Sequence, residues 1–189
     1  MQIQGFKPVI NANSRVLILG SMPSEESLRK QEYYANPRNQ FWRILDTLFS
    51  LEEREEQQER QERQKQSELL REQETIPAAA IPYSHKLEFI LQHNLALWDV
   101  IAACEREGSL DSHIKSPRPN LFAELFAHYP EICYVAFNGK KAFEVFKRQV
   151  GFNLKEGLVY HVLPSTSPAN TLTWERKLNE WRILRAWLK

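Results

Sequence analysis

Three short stretches of the chain combine polar side chains with rigid backbone: Gly20-Ser21-Met22-Pro23-Ser24 with Tyr33-Tyr34-Ala35-Asn36-Pro37-Arg38-Asn39-Gln40-Phe41-Trp42, Asn138-Gly139, and Leu163-Pro164-Ser165-Thr166-Ser167-Pro168-Ala169-Asn170. The chemistry they offer is that of neutral groups. Asn39 presents a carboxamide that orients and polarises water by hydrogen bonding without being a strong base, or it caps a helix starting near Phe41. Asn138 is either the first residue of an Asn-Gly turn or an amide offering donors and acceptors to a ligand. Tyr33 and Tyr34 are adjacent on an extended segment, so both cannot point inward, and one of the pair remains for stacking. Ser165 and Ser167 make poor nucleophiles: no Gly-x-Ser-x-Gly elbow surrounds them and no His/Asp arrangement is evident from spacing. The five histidines show no ligand spacing, so a metal site is not expected.

These stretches follow apolar runs, and the rest of the chain alternates regularly. Arg15–Leu19, Leu95–Val100, Glu131–Phe137 and Leu158–Leu163 read as strands. Asn39–Phe49, His85–His93, Asn120–Tyr129 (with Asn120 as N-cap), Lys140–Val150 and Trp174–Leu188 read as helices. The last of these puts Trp174, Leu178, Trp181, Leu184 and Leu188 on one face. Strand–helix alternation predicts an α/β fold, a three-layer α/β/α sandwich around a central four-stranded parallel sheet. The polar loops then open together at the carboxyl ends of the strands. Asp99, after the second strand, either hydrogen-bonds an active-site group or, as the preferred reading, caps a following helix.

The 189 residues fit one domain, 1–189. Residues 51–75 hold nine Glu against five Lys and Arg and almost nothing apolar, leaving 20 basic and 15 acidic groups elsewhere. We read about 51–83 as a charged surface insertion that adds nothing to the core. A mildly basic body suits a polyanionic partner. Cys104 and Cys133 lie in apolar stretches and read as buried free thiols; two cysteines ligate neither a four-cysteine iron–sulfur cluster nor a structural zinc. No apolar run reaches the length of a membrane span and no signal peptide is visible, so the expected setting is the cytoplasm.

GSMPS followed by YYANPRNQFW, with LPSTSPAN near the C-terminus, resembles the paired motifs of the hypoxanthine-DNA (DNA-deoxyinosine) glycosylase family of the uracil-DNA glycosylase superfamily. The layout is also similar to that of the mismatch-specific uracil glycosylases, and the likeness spans nearly the whole chain outside the insertion. It implies a monofunctional enzyme that removes a deaminated base, hypoxanthine first, from DNA and leaves an abasic site. No cofactor and no metal are implied, and the expected form is a monomer without a membrane partner. Carried over by motif, Asn39 is the catalytic residue, Tyr34 the stacking aromatic and Asn138 the base-reading amide, with Ser21 and Met22 beside the base. Hypoxanthine presents N1–H next to C6=O, the donor–acceptor pair that uracil presents at N3–H and C4=O, so one fixed amide reads either. Arg38, Lys140, Ser165, Thr166, Ser167 and Pro168 are the expected DNA contacts, the small polar loop pressing on the minor groove and backbone phosphates.

Three positions depart from the pattern. Met22 stands where uracil glycosylases carry a water-activating Asp or Asn, Leu163 where many carry His or Asn before Pro-Ser, and Asn36 where the hypoxanthine branch usually has His. The first two shift the chemistry onto Asn39 and away from uracil. Two alternatives stay open at this level: a G:U/G:T mismatch-specific uracil/thymine glycosylase, and a non-catalytic DNA-binding module.

Overall fold

The structure, a computed structural model, describes residues 2–50 and 81–189; most of the insertion therefore lies outside the described residues. In chain order the elements are β1 (Gln2–Gln4), β2 (Val16–Gly20), α1 (Glu25–Lys30), α2 (41–50), α3 (Tyr83–Gln92), β3 (Leu95–Asp99), β4 (Ile101–Glu105), a 3₁₀ turn (Asp111–His113), β5 (Lys115–Pro119), α4 (Phe122–His128), β6 (Tyr134–Asn138), α5 (Lys140–Gln149), β7 (Val159–Leu163), α6 (Trp174–Trp181) and α7 (Ile183–Leu188). Strands β3-β2-β6-β7 form a parallel sheet in that order.

Every residue of β2 and β3 is buried, which explains their continuous apolar runs: helices cover both faces of a central parallel strand. The two-residue period of a strand splits the core accordingly. Leu17, Leu19, Val135 and Phe137 pack with Phe122, Phe126, Val145 and Phe146 from α4 and α5. Val16, Ile18, Leu97 and Ala136 face the other way onto Phe41, Ile44 and Leu45 of α2, Ile90 of α3, and Trp181 and Leu184. Two cores on either side of one sheet make the expected three-layer sandwich.

The structure corrects several expectations. A second, antiparallel sheet, β1-β4-β5, was not foreseen; Asp99 is separated from β4 by Val100 alone and caps no helix. Asn120 does not cap α4 with its side chain but donates from Nδ2 to the Asp99 carbonyl at 2.8 Å. The C-terminal helix divides at Arg182, whose N–H is shared between Leu178 and Asn179 carbonyls. Tyr83 belongs to α3, not to an insertion, and its hydroxyl accepts from the Tyr33 N–H at 2.9 Å. Cys104 is buried as expected, whereas Cys133 is only half-buried; both are free thiols. Among the described residues no helix is long and apolar enough to cross a membrane, and no group of three or more His, Cys, Asp or Glu is placed to hold a metal ion.

Candidate active site

Strand register builds the site. Gly20 pairs with Asp99, and Asn138 pairs with Leu163, so all four strands of the parallel sheet end on one edge. Each polar loop leaves from that edge and is fastened to the next. Asn138 donates from Nδ2 to Thr166 Oγ1 and accepts the Thr166 N–H at Oδ1, both at 2.9 Å. The Gln40 N–H donates to the Thr166 carbonyl at 3.0 Å. Thr166 thus joins the first motif to the end of β6.

Gly139 makes that junction possible. Its φ of +104° lies where side chains are rarely tolerated, and a Cβ there would meet Ser165 Cβ at 3.0 Å. On the far side, Trp181 Nε1 donates to the Pro164 carbonyl at 2.9 Å, and Asn170 Nδ2 donates to the Ser165 carbonyl at 3.1 Å. Lys177, only 2% exposed, donates from Nζ to Gln40 Oε1 at 2.9 Å and to the Asn170 carbonyl at 2.8 Å. Burial pushes its ammonium group below the usual lysine range. One cation therefore clamps the residue after Asn39 to the end of the PSTSPAN loop. Lys177→Met, which keeps the apolar stem, leaves both oxygens without their charged donor. Thermal or urea unfolding is expected to show a loss of about 2–4 kcal/mol, with weaker excision even where the fold persists.

Asn39 fulfils its capping alternative. Its Oδ1 accepts the Phe41 N–H at 3.0 Å, opening α2, while its own N–H donates to the Asn36 carbonyl at 2.8 Å. The cap fixes the carboxamide and leaves Nδ2 and one lone pair of Oδ1 for another partner. Two residues further on, Phe41 stacks on Tyr34 with ring centroids 3.8 Å apart and planes 18° apart. The neighbouring pair does not split as an extended segment would: Tyr33 is buried, with its hydroxyl donating to the Lys7 carbonyl, and Tyr34, half-buried, packs against the same core. Tyr34 has a positive φ of 55°, uncommon for an aromatic residue and the kind of local strain that collects at functional sites. Its hydroxyl is buried beside Gly20 and Asp99, with the Asn138 side chain near it but in no well-aligned hydrogen bond. Burial and the nearby Asp99 charge raise this phenol above its ordinary range.

The other expected site residues divide. Met22 and Thr166 need correction as outward contacts: Met22 packs into the core and Thr166 has no exposed surface, its hydroxyl spent on Asn138. Asn138 has likewise given to Thr166 the donor–acceptor edge that would read a base. It serves as the brace between loops. Ser21 donates to Asp111 Oδ1 at 2.6 Å. Arg38, Lys140 and Pro168 are exposed on the rim, with Ser165 and Ser167 half-buried beside them. Asn36, the departure from the motif, accepts the Arg38 N–H at Oδ1 and shapes the turn.

Two residues escape the sequence reading, Lys177 and Arg106, and Asp99 reads there first as a helix cap rather than a site group. Asp99 and Arg106 are both buried, at 4% and 3% exposure. Arg106 Nη2 donates to the Pro23 carbonyl at 2.5 Å, which holds the GSMPS loop in place. Burial foremost, and Asp111 second, push the Asp99 carboxyl up from about 3.8 to about 7, with Arg106 opposing. An acidic residue inside an apolar run, as in LALWDVIAAC, was the available signal.

A three-layer α/β/α sandwich whose parallel strands deliver an Asn-bearing first motif and a PSTSPAN loop to one edge is a glycosylase architecture, and the chain belongs to the uracil DNA glycosylase superfamily, whose family model matches residues 7–189. Two relatives carry the name hypoxanthine DNA glycosylase. The one from Methanosarcina acetivorans is 35% identical over 183 residues, covering 96% of each chain. The one from Methanosarcina barkeri is 34% identical over 183 residues, again 96% of each. The solution NMR structure of a Methanosarcina acetivorans protein proposed as a uracil DNA glycosylase aligns over 100% of both chains, with a TM-score of 0.72 and 32% identity.

Proposed function

We propose that this protein is a monofunctional DNA glycosylase that everts deoxyinosine from the duplex and hydrolyses its N-glycosidic bond, leaving an abasic site. The observation that carries the reading is the attachment of Asn39 to the other two loops: its side chain opens the helix whose first residue stacks on Tyr34, and its neighbour Gln40 is bonded to Thr166, the partner of Asn138. An everted base loses its stacking in the duplex, and an aromatic platform returns roughly 1–3 kcal/mol. Tyr34 supplies that platform from its strained position.

The bond from sugar C1′ to the base breaks with its electron pair leaving on the base, and an oxocarbenium-like sugar remains. Water bonds to C1′ and releases a proton, and the departing base takes one up. Asn39 directs the water through its uncommitted Oδ1 lone pair, or holds it through Nδ2, without itself taking up charge. The exposed Arg38 and Lys140, with the Ser165–Pro168 rim, contact the phosphate backbone. The names of the two Methanosarcina relatives support hypoxanthine as the base, and the apolar burial of Met22 removes the polar group that a uracil-directed first motif would carry.

The deciding assay incubates the protein with labelled duplexes containing inosine, uracil, xanthine or a G·T pair, then treats them with alkali. Cleavage greatest at inosine is expected. Stronger cleavage at uracil or G·T establishes the mismatch-specific alternative instead. Binding to the modified duplexes without any alkali-labile site leaves a non-catalytic binding module.

A further inference from the structure

The register that ends β2 and β3 together leaves one carboxyl group at the floor of the site that no step above uses. Asp99 Oδ2 is buried with no hydrogen-bond partner among the described residues, and so is the hydroxyl of Tyr34. A Cβ on Gly20 would lie 2.5 Å from Asp99 Oδ1 and 3.3 Å from the Tyr34 hydroxyl. Only glycine at that strand end lets the carboxyl and the phenol approach side by side. A buried polar atom left unpaired forfeits its hydration with nothing in return. Two of them, adjacent and at the convergence of the motif loops, call for a partner that arrives with the ligand.

The form of the carboxyl decides what it reads. An ionised carboxylate only accepts, whereas a neutral one places a donor beside an acceptor. That pair is the complement of a lactam, in which a ring N–H stands next to an oxo group. Asn138, the other group able to make a two-point contact, is engaged with Thr166. The groups that act electrostatically on Asp99 are Arg106, Asp111, Tyr33, Tyr34 and Tyr83. Arg106 alone among them favours ionisation. Its pull is outweighed by burial and by Asp111, so the carboxyl holds its proton up to about pH 7.

We propose that Asp99 is the base-reading residue of this site: its carboxyl hydroxyl donates to the oxo group of the everted base and its carbonyl oxygen accepts from the adjacent ring N–H. The proposal rests on the glycosylase reading above and adds a pH-dependent recognition step to it. Ionisation of Asp99 removes the donor and sets a negative charge against the oxo oxygen, so recognition is lost on the alkaline side.

The test separates recognition from chemistry. Affinity is measured from pH 5 to 9.5 for a duplex carrying 2′-fluoro-deoxyinosine, which resists hydrolysis, against the unmodified duplex; single-turnover excision of deoxyinosine is followed in parallel. In the native protein the preference for the modified duplex is expected to fall about tenfold per pH unit once Asp99 ionises. Asp99→Ala should lower the preference at least tenfold at pH 6. Asp99→Asn, whose amide keeps a donor and an acceptor at every pH, should restore it and flatten the alkaline fall. A native profile that is flat or rises above pH 7 overturns the proposal whether or not the variants fold. So does an alkaline fall that persists unchanged in Asp99→Asn. A rate rising through pH 7, together with an inactive Asp99→Asn, identifies a general base instead. Absence of abasic sites from deoxyinosine at every pH refutes the glycosylase reading itself, while the binding profile still reports on Asp99.

Discussion

Replacing Asn39 with alanine is expected to lower single-turnover excision of deoxyinosine by about 10²–10³-fold, the range associated with losing one well-placed group that holds water or stabilises developing charge. Duplex affinity should change by no more than a few-fold, because the phosphate contacts assigned to Arg38, Lys140 and the Ser165–Pro168 rim remain. The substitution has a second effect that has to be separated from the first. Asn39 Oδ1 caps α2 through the Phe41 N–H, and loss of a cap costs about 1 kcal/mol. Asn39→Ser resolves the two roles. A serine hydroxyl restores an acceptor at the cap but not the carboxamide, so this variant should regain stability while staying slow. Excision by Asn39→Ser at the native rate would reduce Asn39 to a cap. The same geometry gives the cap a use in catalysis: a carboxamide already fixed by one hydrogen bond loses little further freedom when it takes hold of water.

How much of this was legible beforehand depends on whether the signal was local. The parallel sheet was, because Val16–Gly20 and Leu95–Asp99 are buried on both faces and must be apolar throughout. Helix α5 was too, since an Asn-Gly turn and a clear apolar stripe mark its start and inner face. β1, β4 and β5 were not. Lys115–Pro119 contains two prolines and is largely exposed, a composition that argues against a strand unless it lies at an edge, which it does. Ile101–Glu105 follows β3 with only Val100 between, so the two read as one apolar run.

The site shows the same division. A motif is a local pattern, so it can single out Asn39 and Tyr34, which the structure links through Phe41. The partners of Asn138 and the burial of Thr166 depend on a contact between residues 28 positions apart, and that of Lys177 with Gln40 spans 137. A lysine in an amphipathic helix is expected at the surface, and only the docking of α6 against the loops turns this one inward. The motif puts Met22 beside the base, yet its unbranched apolar side chain packs into the core with its sulfur close to Gly5.

The stability of the protein should carry the imprint of Asp99 even without DNA. Its folded carboxyl titrates near 7 against an ordinary value of about 3.8, so between those limits the folded state binds more protons than the unfolded one. Stability must then fall as the pH rises through that window, the reverse of the behaviour of a salt-bridged aspartate. Three pH units correspond to roughly 4 kcal/mol as an upper bound, and relaxation around the charge brings the expected loss to about 2–4 kcal/mol. Asp99→Asn has no proton to release. Its stability relative to the native protein should therefore stay constant below about pH 4, climb between pH 4 and 7, and level off above. By the usual scaling for a domain of this size, the relative melting temperature should climb by roughly 5–15 °C. Arg106 is the natural control: with its guanidinium removed the carboxyl loses its one opposing cation, and the window should extend further toward alkaline pH. Parallel melting curves for the native protein and Asp99→Asn across pH 4–8 would mean that Asp99 ionises at its ordinary value, and that the buried carboxyl is solvated in a way its geometry does not provide for.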